Sequence, residues 1–424
     1  MRALMLTPDA GHLDRRIAQE AGTLASHGWE VDIHPAVDPG LDYEADLPPG
    51  VRLLGNPLLP VGKASRRRRI LRRLKRFLAR AAPPVARMIE AFQYRTRDVG
   101  REISDANLSH LLSLGRFDLV FAHDVPVMPL GARLKAAWGA PLISDLHEVF
   151  PEQDERFTTN TARQYWRGLE GAGLAASDGI ICVNAAVAEY VRTTYGPAAP
   201  IALIHNAVSY WNPVASGPTL RSYYPIPDGA RIMLFVGSLR PHKNLEVVVE
   251  GFAAANIDGW VLAILGEGPL QDKLQALVRR RRLEGRVFIG QHVRQRDLIQ
   301  VTASADVALL PYQGFDFNHL ISTPNKLFEY IQARLPIATS KLPMVERFVG
   351  VHGNGAFLDF SSAEALAVGL VAFVRDVAPG IAPALLEAAA REFSWENEEE
   401  ALLRLVDQVM GKPASAAGTS RPVD

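Results

Sequence analysis

One cysteine, Cys182, stands among 424 residues, so neither an intrachain disulfide nor a cysteine-built metal site can form. No apolar run approaches the roughly 18 residues that a bilayer span needs. The opening Met1-Arg2-Ala3-Leu4-Met5-Leu6-Thr7-Pro8 is too short for a signal-peptide core and reads as a strand ending in a turn. No Gly-x4-Gly-Lys-Ser/Thr pattern occurs, which excludes a P-loop NTPase. The first strand is not followed by Gly-x-Gly-x-x-Gly, which argues against a nicotinamide or flavin dehydrogenase. No Asp-x-Asp follows a strand and no His/Cys ligand cluster is visible, so no metal and no cofactor are expected. What remains, 48% apolar and 22% charged residues with 33 Gly and 29 Pro, is the composition of a globular chain of two or three domains. A cytoplasmic enzyme is the default expectation.

Net charge is also missing, 46 Lys and Arg balancing 46 Asp and Glu, but the zero hides an asymmetry. Residues 63–80 hold ten Lys or Arg and no acid, leaving the rest of the chain net negative by ten.

The pattern predicts two α/β series. In residues 1–205, short β-rich runs (Ala3–Thr7, Glu30–His34, Leu119–Ala122, Pro141–Ser144, Gly179–Val183) alternate with helical periods such as Arg15–His27, which Gly28 ends. Residues 206–227, with prolines at 213, 218, 225 and 227, read as an interdomain linker. A second series fills 228–395. Its strands are Ile232–Val236, Trp260–Leu265, Val287–Ile289, Val307–Leu310 and Pro336–Thr339, with helices at Asn244–Ala255 and Pro324–Arg334 and Pro269 opening another. A last helix is predicted over 396–411 and a disordered tail over 412–424. The fold class is therefore α/β, with two Rossmann-like domains.

Ligands of such sheets bind beyond the carboxyl ends of the strands. In the second series Gly237-Ser238-Leu239-Arg240-Pro241-His242-Lys243 and Gly266-Glu267-Gly268 join strands to helices there, and Ser322-Thr323-Pro324-Asn325 opens the helix carrying Lys326 and Glu329. Each element has an ordinary explanation: turn glycines, a solvated Lys243, an i,i+3 surface pair of Lys326 with Glu329. Together, three helix N-termini beside Arg240, Lys243 and Lys326 describe an anion site suited to a diphosphate.

These stretches resemble the donor domain of GT-B glycosyltransferases of family 4. The resemblance rests on Val236-Gly-Ser-Leu-Arg-Pro-His-Lys-Asn-Leu245, Leu265-Gly-Glu-Gly-Pro269, Val287-Phe-Ile-Gly-Gln-His-Val293 and Thr323-Pro-Asn-Lys-Leu-Phe-Glu-Tyr-Ile331. Leu13-Asp-Arg-Arg16, Ser144-Asp-Leu-His-Glu148, Ala176–Val183 and Phe393-Ser-Trp395 extend it over nearly the whole chain except 35–110 and the tail. It implies two domains facing a cleft, with the final helix returning to the first. It also implies transfer of a sugar from a nucleotide-diphosphate sugar to a glycan or glycolipid acceptor, with retention of configuration, in cell-surface polysaccharide synthesis.

The resemblance assigns the donor ribose to Glu329, the departing diphosphate to Lys243 and Arg240, and phosphate oxygens to the main chain at Ser322 and Thr323. Main chain near Val293 is assigned to the base, and His147 to the transferred sugar. Gly237, Ser238, Gly266, Glu267, Gly268, Asn325 and Lys326 complete the donor side; Gly11, Asp14, Arg15, His123 and Asp124 form the acceptor side. Two positions depart from the family pattern. Ile321 stands where a second glutamate is usual, eight residues before Glu329, and Ser238 stands where Arg often follows the glycine. They keep open a nucleotide-sugar epimerase or isomerase, or a non-catalytic nucleotide-sugar-binding subunit.

Within residues 63–92, Ile70, Leu71, Leu74, Phe77 and Leu78 form an apolar stripe on a strongly cationic helical period. Such a segment suits an anionic membrane surface, on the inner face of the cytoplasmic membrane. Packing on the first domain is the alternative. Nucleic acid is not expected, because no reading module or interleaved aromatics accompany the charge.

Overall fold

Unbroken apolar runs, buried on both sides, account for most of the architecture, as they must in parallel sheets covered by helices. The computed structural model describes residues 1–8, 14–36, 47–55, 82–153, 159–214 and 216–411. Gly11, the basic stretch 63–80 and the tail 412–424 lie outside the described residues.

The chain divides into two units, Met1–His205 with the C-terminal stretch from Glu399, and Asn206–Glu398. The strands of the first are β1 (Arg2–Thr7), β2 (Glu30–Pro35), β3 (Val51–Leu53), β4 (Leu119–His123), β5 (Leu142–Leu146), β6 (Gly179–Cys182) and β7 (Ile201–Leu203). They form one parallel sheet in the order β3-β2-β1-β4-β5-β6-β7. The helices between them start where a side chain accepts an otherwise orphaned N–H. Asp14 caps Arg15–Ser26, Asp98 caps Val99–Ser113, Thr159 caps Asn160–Ala176 and Asn184 caps Ala185–Tyr195.

The second unit contains β8 (Arg231–Val236), β9 (Trp260–Leu265), β10 (Val287–Gly290), β11 (Val307–Leu310), β12 (Ile337–Thr339) and β13 (Gly355–Phe357). Its parallel order is β10-β9-β8-β11-β12-β13. Counted from its own first strand, each sheet begins 3-2-1-4-5-6, so the connection direction reverses between β1 and β4, and again between β8 and β11. The carboxyl ends of those strand pairs are where this topology leaves a binding crevice.

Three sequence expectations change. Residues 206–227 are no linker. Ala207, Val208, Leu220, Tyr224 and Ile226 are buried in the core of the second unit, and the Tyr224 hydroxyl donates to the carbonyls of Gly290 and Ile264. Prolines deny this segment a repeating backbone ladder, but they do not stop its side chains from packing. Pro269 does not open a helix: Gly268, Pro269 and Leu270 form a turn, and the helix runs Gln271–Arg281. Finally, β5 continues through Leu146, which puts Asp145 inside the strand and His147 directly after it.

Candidate active site

In the second unit the loops after β8 and β9 lie backbone against backbone. Leu239 N donates to Glu267 O and Leu270 N to Leu239 O, each at 3.0 Å. This contact explains the glycines. A Cβ at Gly266 would stand 2.0 Å from the Gly237 oxygen, and one at Gly268 would stand 2.5 Å from the Leu239 oxygen. The chain then makes a single 3₁₀ turn over Pro241–Lys243. Asn244 ends it with φ 55 and anchors it by donating from Nδ2 to Phe360 O at 2.7 Å.

That turn sets Lys243 Nζ 3.7 Å above the centre of the Tyr312 ring, which follows β11. An ammonium over an aromatic face is held by the ring quadrupole while keeping its charge and its protons. Tyr312 is itself buried, and its ionisation is pushed far up by burial and then by the charge of nearby Glu329. That ring joins the turn after β8 to the segment after β11. Tyr330, on the helix Asn325–Gln332, fixes the same strand ends from below: its hydroxyl accepts from Val236 N at 2.8 Å and donates to Leu309 O at 3.3 Å.

Glu329 is buried, with Lys326 Nζ 3.0 and 2.8 Å from its two oxygens. Lys326 is therefore paired with the carboxylate beside it, the ordinary i,i+3 alternative. Arg240 and Ser238 are exposed at the edge of the turn, and Glu267 is exposed beside them. Ser322 Oγ donates to His319 O at 3.2 Å, Thr323 is buried, and Asn325 Oδ1 accepts from Asn206 Nδ2 at 2.7 Å. The Val293 side chain belongs to the core.

The crown of the first sheet is built around Asp145, which is fully buried. Arg16 Nη2 is 2.5 Å from Asp145 Oδ1, while Arg16 Nε donates to Glu20 Oε1 at 3.0 Å. His123 Nδ1 and His147 Nε2 both reach Asp145 Oδ2, at 3.0 and 2.8 Å. His147 Nδ1 lies 3.8 Å from Asp14 Oδ2, and its backbone N–H donates to Asp124 Oδ1 at 3.2 Å. Both ring nitrogens of His147 therefore face carboxylates, and its side chain is 12% exposed. His123 is enclosed altogether.

These contacts separate the charge states. Burial alone would raise Asp145, but Arg16 and His147 hold it well below the usual carboxylate range. Burial alone would lower His147, yet Asp145 and Asp124 lift it well above ordinary histidine. Burial and the Asp145 charge push Glu20 up to about 8, and burial pushes Asp124 up to about 7. Ligand atoms of His123, Asp145 and His147 lie within 4.8 Å of one another, near enough to close on a cation. Their fit to one is poor, because the two imidazoles already share one Asp145 oxygen and a guanidinium holds the other.

Sequence reasoning missed three residues: Arg16 and Asp145, both quoted only as parts of motifs, and Tyr312. Tyr312 follows a buried strand at the reversal point, a position that topology singles out and local pattern does not.

Comparison with known proteins agrees with this architecture. Residues 218–412 match the family described as Glycosyl transferases group 1, and residues 13–210 match Glycosyltransferase Family 4. A curated relative, glycogen synthase of Mycobacterium tuberculosis, is 26% identical over 296 residues, which span 66% of this chain and 66% of the relative. That is just under two thirds of the relative's length. Among solved structures, a sucrose-phosphate synthase from Thermosynechococcus elongatus superposes with a TM-score of 0.68 at 19% identity, covering 97% of this chain and 99% of that one. HepE from Anabaena, solved with UDP and glucose, gives 0.66 at 16% identity, covering 96% and 100%. Each of these likenesses in structure concerns the fold. With both halves matched and two parallel sheets of this order, the chain belongs to the group 1 glycosyltransferases, with the GT-B fold.

Proposed function

We propose that the chain moves a sugar from a nucleoside-diphosphate sugar to a hydroxyl of a glycan or glycolipid, retaining the anomeric configuration and using no metal. The observation that carries this reading is Lys243 held 3.7 Å over the Tyr312 ring at the β8–β11 reversal. Sugar transfer passes through a state with positive charge on the ring and added negative charge on the departing diphosphate. Lys243 and the exposed Arg240 meet that negative charge, with glycine-lined loops allowing close backbone approach. Because they act more strongly on the departing group than on the bound donor, they lower the barrier. Glu329 accepts hydrogen bonds from the ribose hydroxyls, its carboxylate oriented by Lys326. Backbone N–H groups near Ser322 and Thr323 take phosphate oxygens, and backbone near Val293 takes the base. In the first unit, Asp14, Arg15 and the Asp145 crown form the acceptor side. A uridine donor is the first candidate, since HepE was solved with UDP.

We place the enzyme in cell-surface polysaccharide assembly, cytoplasmic and peripheral on the membrane. No single helix among the described residues is long and apolar enough to cross a membrane. The helix Pro83–Thr96 is anchored by Tyr94, 5.3 Å from Tyr165 and 6.1 Å from Trp166 between ring centres. It exposes Val85, Met88 and Phe92, at spacings of three and four, just after the ten cations of 63–80. An apolar stripe next to a basic segment supports docking on an anionic bilayer.

Incubation with UDP-, GDP- and ADP-sugars, with and without a lipid extract, tests the reaction. Acceptor-dependent release of free nucleoside diphosphate is expected; sugar-nucleotide isomerisation without acceptor, or no turnover at all, contradicts it. Sedimentation with vesicles tests docking, and equal binding to anionic and neutral vesicles removes that part.

A further inference from the structure

We propose that His319, fixed by Asp316, accepts a hydrogen bond from a hydroxyl of the transferred sugar and thereby helps select the donor. This deepens the nucleotide-sugar reading above and rests on it. Asp316 is buried at the start of the short helix Phe317–Ile321. Its Oδ1 accepts both the backbone N–H and Nδ1 of His319, each at 2.7 Å. A carboxylate can only accept, so the Nδ1 atom must be the donor and the ring's single proton in its neutral form sits there. The Nε2 lone pair is then left as an acceptor, and it has no hydrogen-bond partner among the described residues. The side chain is 19% exposed, enough for that edge to meet a ligand.

The location joins this acceptor to the anion site. The His319 ring packs 4.1 Å from Phe315 and edge-on to His242 at 5.4 Å, and His242 immediately precedes Lys243. The loop after β11 therefore flanks the turn after β8 twice, with Tyr312 beneath Lys243 and the Phe315–His319 pair beside His242. A phosphate oxygen has no proton to give an Nε2 lone pair, whereas a sugar hydroxyl does. The exposed Phe315 ring adds an apolar surface for sugar C–H groups.

The test is titration calorimetry on the full chain with UDP and UDP-glucose, and with GDP and GDP-mannose. The wild type is expected to hold one sugar nucleotide more tightly than its parent diphosphate. His319→Ala should then weaken the sugar nucleotide about tenfold, the upper end for one hydrogen bond, while leaving the diphosphate within about twofold. Asp316→Asn, which no longer dictates the tautomer, should lose a smaller part. His319→Gln, which keeps an acceptor near Nε2, should recover most of the affinity and shows that the loss is not misfolding. Equal weakening of diphosphate and sugar nucleotide, no weakening in His319→Ala, no recovery in His319→Gln, or a wild type that binds both ligands alike overturns the proposal. A wild type that binds none of the four ligands instead overturns the functional reading itself.

Discussion

Two sheets of the same strand order carry opposite kinds of polar crown. Above β4 and β5 the charges face one another and are buried: Arg16 bridges Glu20 and Asp145, and Asp145 binds two histidines. Above β8 and β11 the turn Pro241–Lys243 is partly exposed, Arg240 lies open, and Lys243 sits over an aromatic ring, a contact that leaves its charge intact. A buried network that neutralises itself fixes the shape of a surface and the tautomers on it. Cations held by a ring and by backbone turns are instead poised for an anion supplied from outside. In the proposed reading the first crown shapes the acceptor side through a buried network and the second meets the donor, so removing the buried cation of the first should register in stability and changes around Lys243 in turnover.

The largest effect expected from that contrast is in the first unit. Arg16→Met removes a buried cation from between two carboxylates and should cost about 3–5 kcal/mol in urea unfolding. If stability is unchanged, the crown is not an integrated network.

A second effect arises from Glu170, which is buried and accepts from the hydroxyls of Tyr190 and Tyr195 at 3.2 and 2.6 Å. Burial pushes its carboxyl up to about 7. The folded state then holds a proton that the unfolded chain releases near pH 4.5, so stability is full below pH 4.5 and falls as pH rises through 7. The loss should be about 3 kcal/mol, and Glu170→Gln should flatten this part of the unfolding-versus-pH curve. An unaltered slope in the variant contradicts the assignment.

The smallest effect is expected at Tyr312. Tyr312→Leu removes the face under Lys243 and should reduce kcat by about tenfold, in line with a desolvated cation–π contact of about 1–2 kcal/mol. Tyr312→Phe keeps the face and should stay within about threefold. If the two variants behave alike, the ring does not position Lys243.

Much of the second unit is legible in the sequence because its information is local. Gly237, Gly266 and Gly268 mark loops that touch, and the order Lys326–Glu329 on one helix face already suggests their pairing. The Asp145 crown is not legible in that way. Its members come from positions 16, 20, 123, 145 and 147: the parallel pairing of β4 with β5 sets His123 beside Asp145, and the helix Arg15–Ser26 brings Arg16 and Glu20 to them. His147 shows the difference: its place after a strand among acidic neighbours suggests a carboxylate-bonded imidazole, and the fold supplies the partners, Asp145 at one ring nitrogen and Asp14 at the other. Residues 206–227 fail for a different reason, since proline content reports on backbone hydrogen bonding and says nothing of Leu220 or Tyr224 entering a core. Tyr312 and His319 carry no local mark at all; their importance comes from the neighbours that the β8–β11 reversal gives them.

The proposed reaction depends most on Lys243 acting on the departing diphosphate. The direct measurement is single-turnover release of nucleoside diphosphate by wild type and Lys243→Ala, beside the Kd of each for the intact donor. A rate loss corresponding to about 2.7–4 kcal/mol of barrier is expected, the size found for a single preorganised contact, with Kd changed by less than about tenfold. An unchanged rate, or a loss confined to Kd, would contradict it.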